Sequence, residues 1–73
     1  MSKADKMFEE LGYKKEVNSD SFIRELSIKG HFNVIQFFKE IGVYSLHLKL
    51  NQINIKEHIA IHEKMKELGW LND

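Results

Sequence analysis

Two histidines four residues apart, His58 and His62, are the side chains in this sequence best spaced for metal chemistry. On a helix that spacing places two imidazoles on one face, where they can share a metal ion. The metalloprotease form of the motif requires a glutamate directly after the first histidine to act as base; here Ile59 follows, and Glu63 follows the second. The chain has no cysteine, and no acidic side chain is obviously placed to complete a tetrahedral shell. His58 and His62 are therefore weak metal candidates. The plainer expectation is that both rings pack at the edge of an apolar helix face, bonded to backbone or water.

Glu25, Ser27, Ser45 and His47 combine the residue types of a hydrolase. A nucleophile also needs a strained, glycine-flanked elbow and paired donors for an oxyanion, and the sequence offers neither. The expectation is a solvated polar surface, with no catalytic residue, no cofactor and no enzymatic activity. Lys29-Gly30-His31-Phe32-Asn33-Val34-Ile35-Gln36-Phe37 loosely resembles the aromatic strand of an RNA-recognition domain, but its aromatics fall out of register. Lys14, Lys15, Arg24, Lys29 and Lys49 are the cations a nucleic-acid binder would use. Eleven basic residues balance eleven acidic ones, however, which argues against a phosphate-gripping surface. No apolar run approaches the ~18 residues of a membrane span, and the opening Met1-Ser2-Lys3-Ala4-Asp5-Lys6 lacks an apolar signal segment. These features, with the missing cysteines, set a cytosolic default.

The elements that carry these residues read as one domain over residues 1–73. Ala4, Met7, Phe8 and Leu11 recur with helical spacing, behind an N-cap at Ser2 and before a stop at Gly12. Asn54-Ile55-Lys56-Glu57 is a capping box, opening a second helix from about Ile55 to Leu68 that stops at Gly69. Tyr13 and Trp70 each follow a helix-stopping glycine, where packing back on the last turn is the simplest fate. Ile55, Ile59, Ile61, Met65 and Leu68 mark the expected apolar arc of the second helix, with both histidines inside it. Between the helices the period changes to two, giving strands near Lys14–Asn18, Phe22–Lys29, Phe32–Lys39 and Val43–Leu50. Short turns make neighbours antiparallel. The fold class is α+β: an N-terminal helix, an antiparallel sheet of three to four strands, and a C-terminal helix, in the order α-β-β-β-β-α.

The third strand is apolar on both sides. Phe32, Val34 and Phe38 point one way, Ile35 and Phe37 the other. A sheet with one wet face should not carry large apolar side chains on both. Either the helices cover opposite faces, or a second chain covers one of them.

Both ends of the chain carry further pattern. The opening Lys3-Ala4-Asp5-Lys6-Met7-Phe8-Glu9-Glu10-Leu11-Gly12-Tyr13-Lys14-Lys15 and the closing Ile53-Asn54-Ile55-Lys56-Glu57 with Ala60-Ile61-His62-Glu63-Lys64-Met65-Lys66-Glu67-Leu68-Gly69-Trp70 resemble a group of short, uncharacterised proteins of Gram-positive bacteria and their phages or prophages. The likeness covers about half the chain and not the central strands. It implies a source, a bacterial host cell, and no mechanism; in that group the position of His62 is typically asparagine, which counts against metal binding. The combined expectation is a small protein-interaction module of phage or mobile-element type, docking on another protein or on itself. Val34, Ile35, Phe37, Phe38 and Trp70 are the candidate partner-binding residues.

Overall fold

The computed structural model describes residues 2–71. Helix α1 (Lys3–Glu10) begins where the Ser2 hydroxyl accepts a hydrogen bond from the Asp5 amide at 3.0 Å. It ends at Gly12, whose φ of +93° is left-handed. There the Tyr13 amide donates to the Phe8 carbonyl and the Gly12 amide to that of Glu9, satisfying carbonyls the helix leaves free. Helix α2 (Ile55–Glu67) closes identically, with Trp70 donating to Met65 and Gly69 to Lys66. At its start Asn54 and Glu57 exchange both bonds of the capping box, at 2.8 and 3.0 Å.

Between the helices lie β1 (Lys14–Lys15), β2 (Ser21–Glu25), β3 (Phe32–Phe38) and β4 (Val43–His47), paired antiparallel in the order β1-β2-β3-β4. The fold is α+β in the expected α-β-β-β-β-α order. All four strands end short of their expected bounds, β3 by a single residue at Phe38. β1 stops at Lys15, ahead of a turn in which Asn18 adopts φ +63°. β2 stops at Glu25, which leaves Ile28 in the following turn and 64% exposed. β4 stops at His47 because the Lys49 amide turns to the Asn33 side-chain oxygen at 3.1 Å and Asn51 turns left-handed.

Both helices pack on one face of the sheet. Phe8 and Tyr13 from the α1 end, Phe22, Ile35 and Phe37 from the strands, and Ala60 and Ile61 from α2 form a single core. Phe8 stacks on Phe22 at 4.2 Å and meets Phe37 edge-on. Helices on opposite faces, one explanation for the two-sided third strand, are therefore not what the chain builds. The expected arc of α2 is corrected as well. Its buried residues are Glu57, Ala60, Ile61 and Lys64, whereas Ile55 and Ile59 are 69% and 47% exposed. Two ionisable side chains displace two isoleucines from the core side because each finds hydrogen-bonding and charged partners there.

Candidate interaction surface

Register defines the uncovered face. Lys14, Ile23, Val34 and His47 form one row across all four strands; Ser21, Gln36 and Ser45 form the next. Phe32 pairs beside Glu25 and Phe38 beside Val43 on the same side. Phe32, Phe38 and Val43 stay 47%, 38% and 47% exposed, while Ile23 and Val34 are half-buried by their neighbours alone. This face thus presents apolar side chains with no helix above them. Large exposed apolar patches on a small chain mark contact surfaces.

The five candidate partner-binding residues do not share that surface. Val34 and Phe38 lie on it, but Ile35 and Phe37 are core residues, 0% and 4% exposed. Trp70 packs from the α2 end, with its ring centre 6.1 Å from that of Phe37. The correction follows from the pleat: residues at odd positions of β3 face the helices, and only the even ones face outward. Phe32, Val43 and Ile23 complete the outer patch. Their signal was in the sequence, in the register that each strand's alternation imposes once the hairpins are closed.

Two buried polar clusters hold the covered side. The Tyr13 hydroxyl donates to Glu57 Oε2, and Arg24 Nη2 stands 3.7 Å from the same oxygen. Arg24 also donates to the Leu11 carbonyl at 3.2 Å and lies over the Tyr13 ring. Burial first, then the bond to the Glu57 carboxylate, pushes the Tyr13 phenol up to about 12. Two turns further along the same face of α2, Lys64 reaches Asp5 at 3.1 Å and Asp20 at 3.2 Å. Burial alone would lower its pKa, but the hydrogen bonds and attraction of the two carboxylates outweigh that and raise it. Neither cluster was legible from local sequence, beyond the capping role of Glu57.

These clusters are spent on tying elements together. A cleft of about 360 Å³ lies beside Arg24, Asn33 and Glu57, where Glu57 accepts from Tyr13 and faces Arg24, the Asn33 side chain accepts from the Lys49 amide, and Arg24 Nε has no partner among the described residues. His58 and His62 are both exposed on α2, off its buried stripe, and among the described residues no three His, Cys, Asp or Glu side chains gather to hold a metal. Glu25, Ser45 and His47 lie on the outer face, whereas Ser27 sits in the turn after β2. Of the cations a nucleic acid would need, Lys14 and Lys15 point to opposite faces, and Arg24 is engaged with Glu57. Among the described residues no helix is long and apolar enough to cross a membrane. No protein-family model, curated protein or solved structure matches this chain.

Proposed function

We propose that this chain is a protein-interaction module of phage or mobile-element type, acting by docking rather than by catalysis. The observation that supports the reading is the outer patch of Phe32, Val34, Phe38, Val43 and Ile23, left bare because both helices occupy the opposite face. The partner is another protein that offers the apolar side of an amphipathic helix, because the chain's own second face is roofed by helices in that manner. Lys14, Glu25 and His47 border the patch and supply a mixed polar rim, as docking surfaces commonly carry. A role in modulating a host protein fits a module with this little else to offer, by analogy alone.

The test uses Phe38→Asp and Phe32→Asp, two changes at side chains that the core does not use. A partner isolated with the wild-type chain from bacterial host cells is purified and titrated against all three proteins. At least a tenfold loss of affinity in both variants, with unchanged circular dichroism, is expected for aromatics central to a contact. Undiminished binding by both variants overturns the reading.

A further inference from the structure

We infer that β4 is a self-pairing edge, which joins two copies of this chain in one continuous antiparallel sheet. The two margins of the sheet are built differently. β1 is two residues long, and both are lysines. Charge and shortness are the usual means of keeping an edge strand from recruiting another chain. β4 has neither protection: Val43-Tyr44-Ser45-Leu46-His47 contains no lysine, arginine, acidic residue or proline, and it is rich in strand-forming types.

The hydrogen-bond pattern identifies the groups this edge leaves unmatched. The Leu26 amide bonds the His31 carbonyl at 2.8 Å and the Phe37 amide bonds that of Asp20 at 2.9 Å, both in the β2–β3 register. Bonded rungs of an antiparallel ladder recur every second residue. Asn33, Ile35 and Phe37 therefore aim their main-chain groups at β2, and Val34, Gln36 and Phe38 aim theirs at β4. Their partners His47, Ser45 and Val43 answer them. Tyr44 and Leu46 consequently present N–H and C=O away from the sheet.

A second copy fits that edge without adjustment. With a two-fold axis through Ser45, Tyr44 of each copy stands opposite Leu46 of the other, and both residues carry outward main-chain groups. Each such rung can exchange both of its bonds, once on each side of the axis. Val43 then meets His47, and no like charges oppose each other. The side chains agree with the backbone. Tyr44 and Leu46 point to the helix-bearing side, yet they remain 40% and 39% exposed beyond the reach of this chain's helices. Tyr44 already stacks on Phe37 at 5.6 Å, so pairing extends an existing apolar row into the next copy. An uncharged, self-complementary strand favours its own kind over a partner chosen by charge.

The contact is small, which makes it a concentration-dependent dimer rather than a permanent one. Purified chain should pass from the 8.7 kDa monomer to twice that mass in sedimentation equilibrium between about 10 µM and about 1 mM. Over the same range, amide exchange at Tyr44 and Leu46 should slow at least tenfold, while Val43, Ser45 and His47 stay protected throughout. Tyr44→Lys and Leu46→Lys should each give a folded monomer at every concentration. Phe38→Asp should still dimerise, which separates this edge from the docking patch of the proposed function. A wild-type chain that stays monomeric at the highest concentration, or a dimer whose Tyr44 and Leu46 amides remain unprotected, overturns the inference.

Discussion

Tyr13 and Lys64 set how the molecule responds to alkali. Both hold their protons more tightly when folded, Tyr13 at about 12 against an ordinary 10.0 and Lys64 above 10.5. A group with a raised folded pKa contributes fully below its unfolded value and loses that contribution as pH climbs through the folded one. Denaturant unfolding should therefore give constant stability just below pH 10 and a decline beyond it, with Tyr13 accounting for about 2–3 kcal/mol by pH 12. Tyr13→Phe should be less stable at pH 8 and should show a shallower decline between pH 10 and 12. Lys64→Met keeps much of the aliphatic stem but leaves Asp5 and Asp20 without their cation. It should cost roughly 2–3 kcal/mol near neutrality, somewhat less than breaking a fully buried pair, since Asp20 is still 27% exposed. At this scale the sequence is readable only locally. The burial of Tyr13 follows from the glycine before it, but its bond to Glu57 spans 44 residues and has no local signature.

Elements show the reverse. Both helices could be read to within a residue at their starts and stops, because caps and glycine closures involve neighbours in sequence. The two stopping glycines nevertheless differ in surroundings. A Cβ on Gly12 would lie 3.2 Å from Cδ of Arg24, whereas one on Gly69 would meet open space. Both adopt left-handed φ, so Gly69→Ala should cost about 1–2 kcal/mol in thermal or chemical unfolding, and Gly12→Ala clearly more. Equal costs would show that Arg24 moves aside freely. Strand ends were less legible. The end of β4 depends on the Asn33 side chain, which captures the Lys49 amide across the sheet, and alternation alone would have carried the strand on to Leu50.

For the whole molecule, the alternation of β3 announced a two-sided strand, but which side the helices would take could not be read from it. Contacts between the ends of the chain, such as the Ala4 amide donating to Glu67 at 2.8 Å and Lys64 reaching Asp5, keep the two helices together on one side. Because α1, the sheet and α2 share one core, unfolding should be a single transition. Trp70 fluorescence, sensing the α2–β3 contact, and far-ultraviolet dichroism should give coincident denaturation curves; a separated Trp70 curve would mean that α2 detaches first. The unequal margins of the sheet carry a final consequence. A molecule with two adhesive borders could add neighbours indefinitely and grow into ribbons. The short lysine-bearing β1 closes one border, so lateral growth that consumes β4 ends with a pair, and the bare apolar patch of each copy stays available.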